Sequence, residues 1–250
     1  MLFFLYGYVF LVGSVLGSFF NVVGLRIPLK QSISRPRSAC PKCGHTLKPW
    51  ELIPILSFLI QKGKCSRCKA RISPLYPIVE MITGLLFIMA PITFGWTFEL
   101  IIAWTLISLL MIIFVSDVAY MLIPDKVLLF FAAVFFVERL YWPLSPWWDS
   151  LLGAGVAFLL LLIIAIISQG GMGGGDIKLF ALLGFVLGTK LVLLAFFVST
   201  FFGAVIGIIG MLFKVVKKGE PIPFGPFIVA GTLTVFFYGE YLIQLYLQLI

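Results

Sequence analysis

Four cysteines and three aspartates are the residues of this chain whose types and spacing suggest chemistry. The cysteines form one pattern: Cys40-Pro-Lys-Cys43, twenty-one intervening residues, then Cys65-Ser-Arg-Cys68. Two C-x-x-C knuckles at this spacing can supply four thiolates to a tetrahedral metal, zinc above all. Lys42, Lys64, Arg67 and Lys69 are expected to help hold the sulfurs deprotonated, and Gly44 and Gly63 to ease the tight turns. Four protein thiolates leave no open position, so the expected metal is structural. It would staple a polar insert of about fifty residues that has too little core to fold alone. Two disulfides are the competing reading, which a reducing compartment disfavours. His45, the one histidine, could replace a ligand, although a place facing solvent or supporting a ligand is the favoured reading.

The aspartates are Asp117, Asp125 directly after Pro124, and Asp176 at the end of the run Gly170-Gly171-Met172-Gly173-Gly174-Gly175. A phosphate cradle fails here. No Lys-Ser or Lys-Thr follows the glycines, and an all-helical chain offers no βαβ unit. Taken singly, each acid reads as a solvated boundary residue, or as a helix N-cap for Asp125 and Asp176. Taken together they suggest a carboxylate pair. One carboxylate takes a proton from water while its protonated partner polarises a peptide carbonyl, and two such groups held close share a proton. A Ser-His-Asp site is excluded by the single histidine in the cysteine loop, and no H-E-x-x-H helix exists.

The elements that must position these groups are membrane helices. Of the 250 residues 62% are hydrophobic and 11% charged, against about half and a quarter in soluble domains. The fold class is therefore all-α and polytopic, with about eight spans, near 1–25, 75–95, 98–116, 125–142, 150–168, 177–188, 190–213 and 224–248. The sixth is short and is expected to be broken or partly re-entrant. The N-terminal run lacks a basic n-region and is read as a retained span. Domain organisation follows: a first helix (1–25), a cysteine-bearing insert (26–74), and a helical domain (75–250) whose core is about 98–213.

Charge sets the orientation. Eleven of the eighteen Lys and Arg residues lie between Arg26 and Arg71, with Glu51 the one acid among them. If that loop is cytoplasmic, alternation brings Lys126, Lys178, Lys214, Lys217 and Lys218 to the same side and leaves Arg139 and Lys190 outside. This positive-inside bias predicts an outside N-terminus and a cytoplasmic edge for Asp117, Asp125 and Asp176. Asp117 is expected to end the third span. A basic block beside membrane spans marks a cytoplasmic loop, and no nucleic-acid partner is expected.

The segment Gly173-Gly174-Gly175-Asp176 fits the G-x-G-D pattern of intramembrane aspartyl proteases. With Asp117-Val-Ala-Tyr-Met-Leu-Ile-Pro124-Asp125 upstream, the chain resembles the type IV prepilin peptidases. "GSFFNVVGLRIP" (17–28), "PWELIPILSFLIQKGKCSRC" (49–68) and "ISPLYPIVEMITG" (72–84) agree along residues 7–210; Glu51 departs from the Asn or Asp more usual there.

The resemblance implies a bifunctional enzyme of the bacterial inner membrane. Family members cut the short basic leader from type IV prepilins or pseudopilins at the cytoplasmic face. Many then N-methylate the exposed residue, usually Phe, with S-adenosylmethionine. Carried over by position, Asp117 and Asp176 are the catalytic pair, Gly173 and Gly175 belong to the active-site loop, and Cys40, Cys43, Cys65 and Cys68 hold the zinc. Asn21, Arg26 and Glu80 match motif positions and are possible supporting residues. Glu80 in an apolar helix is costly unless paired. Asp125 reads as a cap or a catalytic group, capping being favoured. Lys178 reads as a substrate contact or a membrane-surface residue, the surface being favoured. The motifs assign neither residues that contact S-adenosylmethionine nor an oligomeric state; the zinc loop and its flanks are associated with methyl transfer by resemblance alone.

Two other functions stay in view. An ion- or proton-coupled transporter predicts carboxylates near the bilayer midplane on broken helices. A membrane anchor with a partner-binding basic loop leaves the aspartate motifs unexplained.

Overall fold

The computed structural model describes residues 2–169, 171–213 and 222–248. Gly170, which opens the glycine run, and the inside-charge residues Lys214, Lys217 and Lys218 lie outside the described residues. The architecture among the described residues is all-helical, with two isolated antiparallel bridges. Eight helices of 14 residues or more correspond closely to the expected spans: α1 (Leu2–Arg26), α3 (Leu75–Phe94), α4 (Glu99–Tyr120), α5 (Asp125–Tyr141), α6 (Asp149–Ile167), α7 (Gly174–Leu187), α8 (Thr189–Leu212) and α9 (Gly225–Gln248). Between α1 and α3 lie only a 3₁₀ turn (Pro49–Leu52) and a short helix α2 (Leu56–Ile60).

Six of the eight, α1, α3, α4, α6, α8 and α9, are long and apolar enough to cross a membrane. The expected count of about eight is thus met in full-length spans by six. The other two are short for physical reasons. α5 has 17 residues with Asp125 in its first turn and Arg139 in its last, and α7 has 14 residues ending at Gly188, whose φ of +80° stops the helix. At 1.5 Å per residue they reach about 26 Å and about 21 Å, against a hydrocarbon core of about 30 Å.

The chain divides into two compact units, Met1–Val115 and Ser116–Ile250, so that α4 supplies residues to both. In the first, α1 packs along α3. In lipid, apolar burial drives little association, and close contact through small residues takes its place. A Cβ added at Gly17 would lie 2.9 Å from the Glu80 Cα, and one at Gly13 would lie 2.8 Å from Phe87 Cβ. Farther along α1, Gly24 admits Val115 and the Ile112 carbonyl of α4 by the same device. The Trp104 indole donates to the Phe87 carbonyl at 3.1 Å and ties α4 to α3.

In the second unit, α6 and α7 cross at Gly153 and Gly184, whose backbones touch so closely that a Cβ on either would overlap the other's carbonyl. At the far end of α7 the Asp149 carboxylate accepts the Thr189 hydroxyl at 2.7 Å, pinning the turn that starts α8. These contacts fix α7 as a rigid piece and thereby fix its amino end. α8 and α9 meet where Ser199 fills the space of a missing Cβ at Gly231.

Candidate active site

The amino end of α7 carries Asp176. The glycine run reads from sequence as a flexible approach to this residue, yet the helix begins at Gly174, so Gly174, Gly175 and Asp176 form its first turn. The reason is local. The Gly173 N–H donates to Asp176 Oδ2 at 3.2 Å, and the carboxylate closes the turn back on its own start. Gly175 serves a different purpose. A Cβ there would lie 2.9 Å from the Ile123 Cβ, whereas one at Gly174 would meet nothing within 4 Å. Gly175 is what lets α7 seat against the segment that follows α4.

Asp117 does not end its helix, as the span boundary had suggested; α4 runs on to Tyr120 and buries Asp117 to 5% exposure one turn from the end. Two bonds stop the helix beyond it. The Met121 N–H donates to the Asp117 carbonyl at 2.8 Å with Met121 at φ +51°, and the Ser116 hydroxyl donates to the Leu122 carbonyl at 2.5 Å. The Asp117 carboxylate meets the start of α9, where the Gly225 N–H donates to Oδ2 at 2.7 Å. An added Cβ at Gly225 would lie 2.6 Å from that oxygen. Gly225 was not among the residues singled out from sequence. Its signal was Phe224-Gly225-Pro226-Phe227 at a helix start, but its partner lies 108 positions away.

The two carboxylates lie close enough for the charge on Asp117 to act on Asp176. Each has its Oδ2 held by a glycine N–H, and among the described residues neither Oδ1 has a hydrogen-bond partner. Two acids held in this way can act on one water and one carbonyl.

Asp125 does not cap α5. Pro124 is the N-cap residue, and the Asp125 carboxylate instead takes the Lys178 ammonium on both oxygens, at 2.9 and 3.0 Å. Both side chains are more than half exposed, so the pair adds little stability. The Lys178 side chain is exposed, and its recorded partner is Asp125.

Asn21, Arg26 and Glu80 belong to the first unit. Arg26 turns to the chain after α1 and donates to the Ser32 and Ile33 carbonyls at 3.1 and 3.3 Å. Asn21 and Glu80 are buried on the α1–α3 seam.

The four cysteine sulfurs converge within 4.8 Å of one another, with Cys40–Cys68 at 3.7 Å and Cys43–Cys65 at 4.0 Å. Four sulfurs about 2.3 Å from one tetrahedral ion stand about 3.8 Å apart, so the donor set fits a zinc-binding insert. The two knuckles are the same turn made twice. Cys40 donates to the His45 carbonyl and Gly44 to the Cys40 carbonyl; Cys65 donates to the Ala70 carbonyl and Lys69 to the Cys65 carbonyl. Gly44 (φ +68°) and Lys69 (φ +59°) occupy equivalent positions, while Gly63 lies ahead of its knuckle.

At Cys40 and Cys65 it is backbone N–H groups rather than side-chain charge that favour the thiolate. The N–H groups of Cys43 and Lys42 hold the Cys40 thiol down to about 6, and those of Cys68 and Arg67 lower Cys65. The Cys43 thiol, although the His45 N–H favours its anion, is pushed up to about 11 by burial and the neighbouring sulfurs. His45 is no ligand. Its Nε2 lies 3.1 Å from Glu51 Oε2, and the Lys48 N–H, with Ser66 and His45, draws the Glu51 carboxyl down to about 2.

Residues 11–94 match the bacterial peptidase A24 N-terminal domain, and residues 104–208 match the type IV leader peptidase family. The prepilin leader peptidase/N-methyltransferase of Bacillus subtilis (strain 168) is 50% identical over 240 residues, 96% of this chain and 97% of the relative. Relatives of the same description from Pseudomonas aeruginosa, 33% identical over 95% of this chain and 92% of the relative, and Myxococcus xanthus, 38% identical over 82% and 63%, also match. No solved structure matches the chain.

Proposed function

The chain belongs to the type IV leader peptidase family, and on that premise we propose that Asp117 and Asp176 are its catalytic pair. It is a multi-pass membrane enzyme that cleaves the leader from prepilins and N-methylates the new terminus; the transport reading is set aside. The observation that carries the catalytic assignment is the approach of two carboxylates from α4 and α7, near enough for the charge of one to act on the other, each with one oxygen anchored to a glycine N–H.

The pair shares one proton. The ionised member accepts a proton from water as that water attacks the scissile carbonyl, and the protonated member hydrogen-bonds the carbonyl oxygen. Collapse of the tetrahedral species passes a proton to the leaving amine. The Gly225 N–H keeps Asp117 Oδ2 occupied and so leaves Oδ1 to face the reaction. Gly173 does the same for Asp176.

Residues 26–74 form the insert, and Cys40, Cys43, Cys65 and Cys68 hold a structural zinc, which supplies a cross-link in place of a core. S-adenosylmethionine supplies the methyl group for the second activity. The positive-inside bias supports a cytoplasmic insert and cytoplasmic aspartates, with the N-terminus outside. Substrates are then cut where a basic leader meets the membrane.

The test is cleavage of a prepilin by the Asp117→Asn and Asp176→Asn variants, made separately. Each is expected to lose activity by at least about a thousandfold. Near-normal cleavage by either would refute the pairing.

A further inference from the structure

Glu80 lies on the membrane-spanning helix α3, 8% exposed, where an unpaired carboxylate is costly. One of its oxygens, Oε2, accepts the Ile55 N–H at 2.8 Å, and the Ser18 hydroxyl stands beside it. The Ile55 N–H is presented by unusual means. Ile55 has φ +62° and ψ −53°, and Leu56 N donates to the Pro54 carbonyl at 2.5 Å, which closes a γ-turn of the φ-positive kind. A β-branched residue is strained in that conformation. The insert is thus fastened to α3 through a turn that an ordinary cap would not need.

Asn21 provides an independent observation. It is 1% exposed, and its Nδ2 donates to the Tyr76 carbonyl at 3.2 Å. A carbonyl only accepts, so the amide nitrogen must face Tyr76, and Oδ1 is left buried without a partner. α1 and α3 run antiparallel here. Gly17 abuts Glu80, and Asn21, one turn on, meets Tyr76, one turn back. The carboxylate and the unpartnered amide oxygen therefore stand about one helical turn apart on the same seam.

A buried carboxyl group held by one backbone N–H and one hydroxyl, beside a buried amide oxygen that has no donor, is an acceptor pair suited to a cation that carries its own N–H donors. We infer that Glu80 and Asn21 form a binding site for a primary ammonium group used in methyl transfer. Both reactants of that step carry one: S-adenosylmethionine at its methionyl end, and the cleaved pilin at its new N-terminus. The inference rests on the methyltransferase activity above and places it in the first unit, beside the insert.

The test uses full-length protein in detergent. It is titrated calorimetrically with S-adenosylhomocysteine, which keeps the methionyl ammonium, and with a peptide bearing a mature pilin N-terminus, free or acetylated. Glu80→Gln keeps an acceptor for the Ile55 N–H but loses the charge. It is expected to weaken binding of one of these ammonium compounds by about 10- to 100-fold, and Asn21→Ala to weaken the same one. Loss confined to S-adenosylhomocysteine assigns the site to the methyl donor. Loss confined to the free peptide, with the acetylated form binding poorly to the wild type, assigns it to the acceptor.

Bound metal is measured throughout; if Glu80→Gln has lost it, Asn21→Ala, which leaves the Ile55 bond in place, decides the matter. Wild-type affinities in both variants, or no binding of either compound to the wild type, overturn the proposal. A wild-type protein that cleaves prepilin and never methylates it refutes the methyltransferase reading itself. One that methylates while the variants bind normally refutes this site alone.

Discussion

Replacing Gly225 with alanine tests the active-site geometry at its least obvious point. The added Cβ would lie 2.6 Å from Asp117 Oδ2 and 2.7 Å from the Asp117 Cβ, distances that real contacts essentially never show. Because Gly225 is backbone at the start of α9 and Asp117 is buried to 5%, neither has room to give without parting from the other. The 2.7 Å bond from the Gly225 N–H to Oδ2 is then lengthened or lost. A hydrogen bond to a charged group contributes about 1.5–3 kcal/mol. If that stabilisation holds the reactive arrangement, kcat falls by about 10- to 150-fold, a factor of ten for each 1.36 kcal/mol. KM should move little, since Gly225 acts on the carboxylate and not on the substrate. The assay is steady-state cleavage of a prepilin in detergent, with Gly155→Ala as control, because a Cβ at that helical position meets nothing within 4 Å. A Gly225→Ala enzyme with kcat within twofold of wild type would show that the contact between α9 and Asp117 does not set the rate.

Two further outcomes follow from the same structure. Gly174→Ala should retain cleavage and raise stability by up to about 1 kcal/mol, as expected for alanine in a helical turn, while its neighbour Gly175→Ala should lose at least about tenfold in cleavage from the clash with Ile123; equal effects in the two variants would refute a helix beginning at Gly174. Cys40→Ser should strip bound zinc from the purified protein, read by elemental mass spectrometry, and unchanged metal content would refute four-thiolate ligation.

Much of this fold was legible because lipid imposes a simple rule on sequence. Helix ends fall where charged residues, glycines and prolines interrupt apolar runs, and the observed ends lie within a few residues of the expected ones. Asp117 is instructive where the rule failed. A charge reads as the end of a span, yet α4 continues for another turn, where Gly225 gives the buried carboxylate a partner. No local pattern announces a bond between residues 108 positions apart. Asp125 follows a proline and reads as a cap, but it is the first residue of its helix rather than the one before it, and its carboxylate turns to a lysine 53 positions on. The cysteine spacing picked out the four sulfurs that converge, since knuckle geometry is local. The acidity of the Cys40 and Cys65 thiols is illegible in the sequence for the converse reason: side-chain charge is visible there, and the direction of a backbone N–H is not.

The shortness of α7 bears on the membrane itself. A helix of 14 residues leaves roughly 9 Å of a 30 Å hydrocarbon layer unspanned, and its neighbour α5, stacked on it through Phe136 and Phe185, is itself about 4 Å short. Where such a pair faces lipid, the bilayer thins or headgroups and water descend, at a cost of fractions of a kcal/mol for each ångström. Hydrolysis needs a water molecule at a site that lipid would otherwise keep dry. A helix this short, carrying Asp176 at its amino end, would bring that water within reach without a channel, and bilayer thickness would then be a variable of the reaction.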